Sequence, residues 1–422
     1  MNILLLGNGG REHVFAWMLK KNPLCKQLFI APGNAGTDDL GINLAIAATD
    51  FIAIKECCLE EKIDLVVVGP EAPLVAGIVD YFKQDASIQH IPVIGPDQEA
   101  AQLEGSKAYA KVFMEEFDIP TAGYQEFSID TLQEGLAYIE QQKPPIVLKA
   151  DGLAAGKGVL ILDDIEEAKR ELQAMLEGKF GEASNKVVIE EFLDGIEFSV
   201  FALTDGKDYQ LLPIAKDYKR IGEGDTGLNT GGMGAVSPVP FVDDVLYQKV
   251  VTRVVEPTIQ GIHKRGLDYC GFVFFGLIAV QGEPFVIEYN CRMGDPETQV
   301  VFPRLKNDLL DLLIAAKKNQ LDRVEIEIQD QSATAVILVS GGYPEAYEKG
   351  KIISGEEQVE DSIVFHAGTK KQGDEVLTNG GRVLAVTSFG DHYQDALKKS
   401  YESIELLNFD QMYYRTDIGF DL

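Results

Sequence analysis

Short unbroken apolar runs, each followed closely by a glycine, recur along the first hundred residues. The runs are residues 3–6, 28–31, 65–68 and 93–94, and the glycines are Gly7, Gly33, Gly69 and Gly95. Strands that are buried on both faces lose the alternation of polar and apolar residues, so these runs predict a parallel sheet covered by helices. Ligands of such sheets bind at the carboxyl ends of the strands. The pattern therefore predicts one shared pocket near Gly7, Gly33 and Gly69.

After this region the pattern changes from strand–turn–helix units to consecutive strands. Residues 107–117 predict a helix that ends near Pro120, and residues 145–180 predict a strand, a glycine loop, a strand and a helix. Further strands are predicted at 187–192, 197–203, 210–214, 272–280, 285–289, 335–340 and 382–387, and further helices at 247–265 and 393–404. A glycine-rich polar stretch at 216–234 predicts a pliable loop. The chain contains no internal repeat and no linker that would separate independent modules.

The charge balance restricts the class of ligand. The 422 residues include 38 lysines and arginines against 67 aspartates and glutamates, which gives a formal net charge of −29. Such a surface repels polyanions, so a general nucleic-acid binder and a binder of anionic membranes are excluded. Any phosphorylated ligand must be held by a local group of basic side chains and backbone amides.

The cysteines and the apolar stretches indicate the compartment. The five cysteines are an odd number without a CxxC pair, which is typical of reduced thiols in a cytosolic protein. The first residues lack the apolar run of a signal peptide, and no stretch approaches the roughly 20 apolar residues that span a bilayer. We therefore expect a cytoplasmic protein.

The turn GNGGRE at 7–12 follows the first strand and opens a predicted helix. It is not a full dinucleotide fingerprint, because Glu12 occupies the third glycine position. Two interpretations stay open at this point. The backbone amides of the helix start could hold an anion, or the glycines could serve only the close packing of strand and helix.

The segment KADGLAAGKG at 149–158 resembles a phosphate loop but lacks the spacing of a Walker A motif. Its small residues would let backbone amides approach phosphate oxygens, and Lys149 and Lys157 add positive charge. The alternative is a mobile hairpin tip at the surface.

The segment IEYNCR carries the strongest chemical signal. On a strand of period two, Glu288, Asn290 and Arg292 project to one side, and Ile287 and Tyr289 project to the other. A carboxylate beside an amide oxygen suits Mg²⁺, and a nearby guanidinium can neutralise charge on a transferred phosphoryl group. A polar strand end that faces water is the alternative.

Two further polar segments each permit a functional and a structural interpretation. At 188–193 the strand backbone could bind an adenine edge while Glu197 accepts ribose hydroxyls, or its carboxylates could simply be solvated. The basic residues at 216–220 and the loop that follows could form a lid that closes over substrate, or a solvated loop.

Taken together, these motifs resemble the phosphoribosylamine–glycine ligase family of ATP-grasp enzymes. The matching segments are GNGGREH at 7–13, APGNAGT at 31–37, VGPEAPL at 68–74, QLEGSKA at 102–108, KADGLAAGKGV at 149–159, IEEFLDGIEFS at 189–199, NTGGMGA at 229–235, IEYNCRMGDPETQ at 287–299, FHAGT at 365–369 and TNGGRVLAVT at 378–387. They cover the whole chain in order.

The resemblance implies an ATP-grasp fold, α/β and α+β, with an amino-terminal Rossmann-like parallel-sheet domain and a small β-rich carboxy-terminal domain. The implied boundaries are 1–103 for the amino-terminal domain, 104–122 and 193–330 for the grasp core, 123–192 for its small lid domain and 331–422 for the carboxy-terminal domain. The implied reaction joins glycine to 5-phosphoribosylamine through glycyl phosphate, with ATP and Mg²⁺ or Mn²⁺, in the second step of de novo purine synthesis. A monomer or weak homodimer is expected, without nucleic-acid or membrane partners.

The resemblance also assigns roles to individual residues. The implied catalytic residues are Lys149, Arg292 and Asp295, and the implied metal ligands are Glu288 and Asn290. The implied nucleotide-binding residues are Lys107, Lys149, Gly152, Gly156, Lys157, Gly158, Glu190, Glu191, Leu193 and Glu197. The implied substrate-binding residues are Gly9, Gly10, Glu12, Asn34, Glu71, Pro73, Lys219, Arg220, Asn229, Gly231 and Asp295.

Two positions depart from the expected pattern. Many ATP-grasp enzymes have a second acidic metal ligand where this chain has Gly276, and Leu228 stands where the family usually has proline. Alternatives are another ATP-grasp carboxylate–amine ligase, a dinucleotide-binding oxidoreductase suggested by the first turn alone, and a nucleotide-binding relic without activity.

Overall fold

The computed structural model describes residues 1–153 and 158–422. The strands, in chain order, are β1 (Asn2–Gly7), β2 (Gln27–Pro32), β3 (Ile42–Asn43), β4 (Leu65–Val68), β5 (Val93–Pro96), β6 (Tyr124–Ser128), β7 (Ile146–Ala150), β8 (Val159–Leu162), β9 (Lys186–Glu191), β10 (Ile196–Thr204), β11 (Tyr209–Leu211), β12 (Lys216–Asp217), β13 (Arg220–Gly222), β14 (Thr226–Asn229), β15 (Gly234–Ser237), β16 (Tyr269–Val280), β17 (Glu283–Asn290), β18 (Ser332–Val339), β19 (Ile352–Ile353), β20 (Ile363–His366), β21 (Thr369–Gln372), β22 (Glu375–Thr378) and β23 (Arg382–Gly390). The helices are α1 (Gly10–Leu19), α2 (Phe51–Glu60), α3 (Glu71–Val75), α4 (Ile78–Gln84), α5 (Gln102–Gly105), α6 (Lys107–Glu116), α7 (Leu132–Ile139), α8 (Ile165–Ala174), α9 (Asp244–Val250), α10 (Glu256–Arg265), α11 (Thr298–Val301), α12 (Leu309–Lys317) and α13 (Tyr393–Ile404).

The predicted parallel sheet is present in the order β3-β2-β1-β4-β5, and its pairs are parallel. Successive residues of β1 supply the two opposite faces. Leu4 and Leu6 pack into one apolar core, and Ile3 and Leu5 pack into the other. Burial on both faces explains why polar residues do not alternate along these strands. The prediction of a covered parallel sheet is confirmed.

This sheet continues into an antiparallel sheet. Strand β16 pairs with β5 through Tyr269↔Pro96 and Cys270↔Gly95, and β16 also pairs with β10 and β17. The resulting sheet runs in the order β11-β10-β16-β5-β4-β1-β2-β3. The end of β17 therefore lies near the carboxyl ends of the parallel strands.

A separate antiparallel sheet, in the order β6-β9-β7-β8, packs with α7 and α8 around its own apolar core. Strands β7 and β8 form the predicted hairpin, with Lys149 paired to Val159. The predicted nucleotide residues Gly156 and Lys157 lie outside the described residues.

Two local predictions need correction. The predicted helix at 247–265 begins earlier and contains a π-helical turn at Val251–Val255 between α9 and α10. The stretch 216–234 contains the antiparallel hairpin β13–β14, with Arg220 paired to Asn229, and is not the pliable loop predicted from its glycines. Glycine and polar residues on an exposed hairpin conceal the alternation that normally identifies strands.

The carboxy-terminal part is rich in β-strands, as predicted. One sheet runs in the order β12-β15-β18-β23-β20, a second runs in the order β19-β22-β21, and α13 packs on the first. Strands β12 and β15 come from the preceding part of the chain, so the two parts share a sheet. No helix within residues 1–153 and 158–422 has both the length and the apolar character needed to cross a bilayer.

A buried histidine joins the amino-terminal and carboxy-terminal parts. The backbone N–H of His366 donates to Nδ1 of His13 at 2.7 Å, and the side-chain amide of Asn34 donates to the carbonyl of His366 at 2.9 Å. Burial lowers the pKa of His13 from its ordinary 6.5 to about 3. A proton on Nδ1 would face the N–H of His366, so this contact requires the neutral ring.

This contact predicts a pH-dependent stability. Below pH 6.5 the unfolded chain binds a proton at His13 that the folded chain does not bind, so the folded state becomes less stable as pH falls. Between pH 7.5 and 5.5 the wild-type protein should lose about 1.4 kcal/mol more unfolding free energy than the His13→Asn variant. Urea unfolding at both pH values measures the difference. Equal losses in the two proteins would contradict it.

Candidate active site

Two neighbouring cavities open where the amino-terminal turns meet the carboxy-terminal part. The first has a volume of about 250 Å³, and its lining includes Gly9, Asp295 and Arg382. The second has a volume of about 280 Å³, and its lining includes Gly33 and Asn34. Of the three glycines predicted to share one pocket, Gly33 lines the second cavity, whereas Gly7 and Gly69 pack against a buried side chain.

That side chain is Glu12, which is only 2% exposed. Its Oε2 accepts a hydrogen bond from the N–H of Gly9 at 2.6 Å, and its Oε1 accepts from Arg11 at 2.7 Å. A Cβ atom at Gly69 would lie 2.2 Å from Oε1, and one at Gly7 would lie 2.4 Å from Cγ. The helix start therefore does hold an anion, and that anion is the chain's own carboxylate.

This arrangement separates the predicted substrate residues of the first turn. Gly9 lines the first cavity. Gly10 is buried, and a Cβ atom there would lie 2.5 Å from Nε2 of Gln299. Glu12 lies beneath the turn with each carboxylate oxygen bonded within the protein. A substrate in the cavity can therefore contact Gly9 directly, whereas the buried Gly10 and Glu12 support the conformation of the turn.

Asp295 and Arg382 form one wall of the first cavity. Arg382 donates to the carbonyl of Asp295 at 2.6 Å and to the carbonyl of Gly231 at 2.5 Å, and its Nη2 lies 3.2 Å from Oδ2 of Asp295. Burial favours the neutral acid, but the guanidinium groups of Arg382 and Arg11 outweigh it and lower the pKa of Asp295. Arg382 lies in the TNGGRVLAVT segment, yet no role could be predicted for it from the sequence, because its partners are distant in the chain.

Arg292 lies just beyond the end of β17 and is enclosed by two acids. Its Nη2 is 2.7 Å from Oε1 of Glu104, and its Nε is 3.4 Å from Oε2 of Glu71. The other oxygen of Glu104 accepts from the backbone N–H of Cys291 at 2.8 Å. Burial raises the pKa of Glu104 despite Arg292, whereas at Glu71 the guanidinium groups outweigh burial and lower the pKa. Sequence motifs had identified Arg292 and Glu71 but not Glu104.

The predicted metal residues lie at the end of β17. Glu288 pairs directly with Gly276 across the sheet, and a Cβ atom at Gly276 would lie 3.0 Å from Cγ of Glu288. The side-chain nitrogen of Asn290 is buried and has no hydrogen-bond partner within the described part of the chain. No group of three or more His, Cys, Asp or Glu residues among those described is placed to hold a metal ion. The carboxylate of Glu288 and the side-chain oxygen of Asn290 are the kind of donors that a hard divalent cation takes, whereas the unpartnered nitrogen of Asn290 can only donate to an acceptor.

One part of the predicted strand pattern is wrong. A β-bulge in the pairing of β16 with β17 interrupts the alternation before Glu288. As a result, Val286 joins Tyr289 in the apolar core, and Ile287 does not. The carbonyl of Ile287 instead accepts a hydrogen bond from Lys149 Nζ at 3.2 Å.

The lysines predicted for nucleotide binding converge on this strand. Lys149 is buried, and its Nζ lies 2.8 Å from Oε2 of Glu190. Burial lowers the pKa of Lys107 in spite of the nearby carboxylate of Glu288. Glu191 points elsewhere, because its carboxylate accepts from the N–H of Gly123 at 2.9 Å. Alternation along β9 thus gives the two neighbouring acids different surroundings.

The hairpin glycines are held by backbone contacts. The N–H of Gly152 donates to the carbonyl of Ala183 at 2.9 Å, and the carbonyl of Gly158 accepts from Ala150 at 2.8 Å. A Cβ atom at Gly152 would lie 2.9 Å from Cα of Ala183. The glycine at position 152 therefore permits the close approach of these two segments.

A second charged group is formed by Glu197 of β10, Asp217 of β12, Lys219 just after β12 and Glu297 just before α11. Lys219 Nζ is 2.6 Å from Oε2 of Glu197, and both side chains are partly exposed. Burial opposes ionisation of Glu197, but Lys219 lowers its pKa; in turn Glu197 and Asp217 hold the pKa of Lys219 well above its usual value. Burial raises the pKa of Asp217, and it raises that of Glu297 to about 7. Asp217 and Glu297 had no assigned role in the sequence motifs.

The hairpin that carries Arg220 and Asn229 is anchored by the end of the chain. Arg415, which is fully buried, donates to Asp225 at 2.6 Å and to the carbonyl of Arg220 at 3.2 Å. Its Nε also pairs with Asp417 at 2.8 Å. These contacts hold in place the segment for which the sequence allowed a closing lid. In this structure the segment is an anchored hairpin.

Known proteins resemble this chain over its full length. Three family models match it: the N domain of phosphoribosylglycinamide synthetase over residues 1–104, its ATP-grasp (A) domain over 105–298 and its C domain over 333–421. A phosphoribosylamine–glycine ligase of Vibrio vulnificus is 46% identical over 426 residues, covering 100% of this chain and 98% of the relative. The enzyme of the same name from Escherichia coli O157:H7 is 46% identical and covers 99% and 98%. The crystal structure of phosphoribosylamine–glycine ligase from Thermotoga maritima is 35% identical, has a TM-score of 0.86 and covers 99% of this chain and 100% of that chain.

The anchored hairpin leads to a stability prediction. Replacing Arg415 by Met should lower the free energy of unfolding by about 2 kcal/mol, because Asp417 loses its partner while the partly exposed Asp225 is rescued by water. The matched control is Arg323→Met, whose ion pair with Asp322 is mostly exposed and should contribute less than about 0.5 kcal/mol. Urea denaturation compares the two variants. An equally small loss of stability in both variants would show that the contacts of Arg415 are dispensable.

Proposed function

The chain belongs to the phosphoribosylglycinamide synthetase family, and from that premise we propose how its site joins glycine to 5-phosphoribosylamine with cleavage of ATP to ADP and phosphate. One observation carries the assignment of residues. The segment 287–295 touches the buried Lys149 at its first carbonyl and lines the first cavity at Asp295. A nucleotide at the lysines and a sugar phosphate in the cavity would therefore meet along this segment.

The nucleotide is proposed to bind between the β7–β8 hairpin and β17. Lys149 and Lys107 would hold the phosphates, and Gly152 and Gly158 would lie against them; Gly156 and Lys157, also predicted for this role, lie outside the described residues. The backbone at Glu190, Glu191 and Leu193 would frame adenine. Glu197 retains exposed surface despite its pair with Lys219, so it can accept hydrogen bonds from ribose hydroxyls.

The metal is proposed to bind at Glu288 and Asn290. Their side-chain oxygens fit Mg²⁺ or Mn²⁺. The unpartnered side-chain nitrogen of Asn290 can instead donate to an acceptor such as a phosphate oxygen. When bound, a divalent cation held by these two residues would supply positive charge that offsets the negative charge of the phosphates. Gly276 provides no second carboxylate opposite Glu288.

Glycine's carboxylate is proposed to attack the γ-phosphorus and form glycyl phosphate, because an acyl phosphate has the good leaving group that a free carboxylate lacks. Arg292 would donate to the phosphoryl oxygens as charge shifts in this step. Glu71 and Glu104 form ion pairs with its guanidinium. The guanidinium is therefore already oriented before the reaction, and less conformational freedom is lost in the transition state.

The amine of 5-phosphoribosylamine is then proposed to attack the acyl carbon, and phosphate leaves. The sugar phosphate would occupy the first cavity at Gly9 and Asp295, with Gly10 and Glu12 shaping the turn beneath it. Residues proposed for the remaining substrate contacts are Asn34, Glu71, Pro73, Lys219, Arg220, Asn229 and Gly231. The preorganised contact of Asp295 with Arg382 would keep the carboxylate ionised near the amine.

Charge and cysteine placement support proposals for the assembly and the compartment. A net charge of −29 disfavours association of like subunits, so we propose a monomer or weak homodimer. The five cysteines are buried and free, which supports a reducing compartment such as the cytoplasm.

Substitution at the end of β17 tests the proposed chemistry. Glu288→Ala should reduce turnover at least about 10³-fold through loss of a metal ligand, and Arg292→Lys should cost about 10²-fold because planar, bidentate donation is lost. ADP release measured with ATP, glycine and 5-phosphoribosylamine reports the rates. Glu60→Ala, at an exposed end of α2, serves as the control.

The same assay tests the substrates. The wild-type protein should form ADP continuously only when glycine and 5-phosphoribosylamine are both present. Sustained ADP formation with glycine and a different amine would indicate another carboxylate–amine ligase. Near wild-type rates in both site variants would refute the proposed site while leaving the overall reaction intact.

A further inference from the structure

The carboxylate of Glu190 bridges two buried lysines, and only one of them has a role in the proposed reaction. Oε2 lies 2.8 Å from Nζ of Lys149, and Oε1 lies 3.2 Å from Nζ of Lys111. All three residues are at most 5% exposed. Lys111 lies one turn after Lys107 on α6, yet it faces Glu190 and the start of the lid domain.

Lys111 holds a junction between three segments. Besides Glu190, its ammonium group donates to Oγ1 of Thr121 at 2.8 Å and to the carbonyl of Ala122 at 3.2 Å. Thr121 in turn donates to the carbonyl of Val286 at 2.7 Å. Through two hydrogen bonds and its ion pair with Glu190, one ammonium therefore connects β9 to the segment that leads into β6, and through Thr121 to β17.

The charge balance of this trio bears on nucleotide binding. Two lysines and one glutamate carry a net charge of +1. Without Lys111, Glu190 would neutralise Lys149 on its own, and a phosphate would have to compete with an unshared carboxylate for that ammonium. The overall negative charge of the protein adds no compensating attraction.

We propose that Lys111 is a positioning residue for the nucleotide: by binding one oxygen of Glu190, it leaves the ammonium of Lys149 available to the triphosphate of ATP. This inference rests on the proposed function, since it assumes that Lys149 contacts phosphate. It adds a residue outside the glycine-rich motifs to the binding machinery.

The same geometry makes nucleotide affinity depend on pH. The charged and titratable groups that face Lys111 are Glu190 and Glu191 from β9, Lys149 from β7 and the ring of Tyr124 from β6, whose centroid is 5.3 Å away. Burial lowers the pKa of Lys111 to about 8. Its charge is therefore present below pH 8 and lost above it, and ATP affinity should fall across this range. Arginine would keep the charge to much higher pH.

The test is calorimetric titration with ATP, without glycine or 5-phosphoribosylamine, at pH 7.0 and 9.0. At pH 7.0, Lys111→Met should raise the Kd for ATP about tenfold, because the positive charge that offsets Glu190 is lost. Lys111→Arg keeps that charge and should restore most of the affinity. From pH 7.0 to 9.0 the wild-type Kd should rise more than the Kd of Lys111→Arg. Lys83→Met, which removes a distant and half-exposed charge, is the control.

A double substitution separates positioning from a merely structural role. If Lys111 acts by partly neutralising Glu190, then Lys111→Met combined with Glu190→Gln should bind ATP more tightly than Lys111→Met alone. Damage to packing would make the double variant equal or worse. That result, or a Kd of Lys111→Met within twofold of wild type, would overturn the inference.

Two further outcomes are informative. If Lys111→Met does not fold, the pH dependence of wild type against Lys111→Arg decides, and parallel curves would overturn the inference. Failure of the wild-type protein itself to bind ATP would instead refute the proposed function.

Discussion

The pairing of β5 with β16 is the contact on which the site depends, because it joins a parallel sheet to an antiparallel one. It consists of two residue pairs, and glycines let the two strands approach closely: a Cβ atom at Gly271 would lie 3.2 Å from Cα of Gly95. This pairing brings the turn after β17 close to the amino-terminal turns. There Arg292 forms an ion pair with Glu71, and Asp295 lies against Gly9. The site is therefore a product of sheet topology as much as of any motif.

A protein with a net charge of −29 cannot attract anionic substrates with its overall field, and the structure shows a local alternative. Basic groups of the site are paired with acids: Lys149 with Glu190, Arg292 with Glu104, Lys219 with Glu197 and Arg382 with Asp295. Pairing holds each cation in a defined orientation and limits the cost of burying it. A phosphate entering the site must then exchange with a carboxylate, so the surroundings of that carboxylate influence affinity.

Elements with strong local signals could be predicted from the sequence. The buried runs of β1 and β4 and the helix α13 lie where their patterns placed them, because double-sided burial and helical periodicity are local properties. The hairpin β13–β14 could not be predicted in the same way, since it is held by Arg415 from the end of the chain. The bulge before Glu288 arises from pairing with β16 and has no signature in the segment itself.

The same distinction applies within the site. Motifs identified residues whose chemistry is visible in a short segment, such as Glu288, Asn290 and the lysines of the glycine-rich loop. They did not point to Glu104, Lys111 and Arg382, because the charged partner of each is distant in the chain and only folding brings it near. A charged side chain buried beside a motif residue changes what that residue can do, even though it touches no ligand. Assigning roles at such a site therefore requires the charge balance of whole buried networks, and Glu190 shared by two lysines illustrates why the motif alone is insufficient.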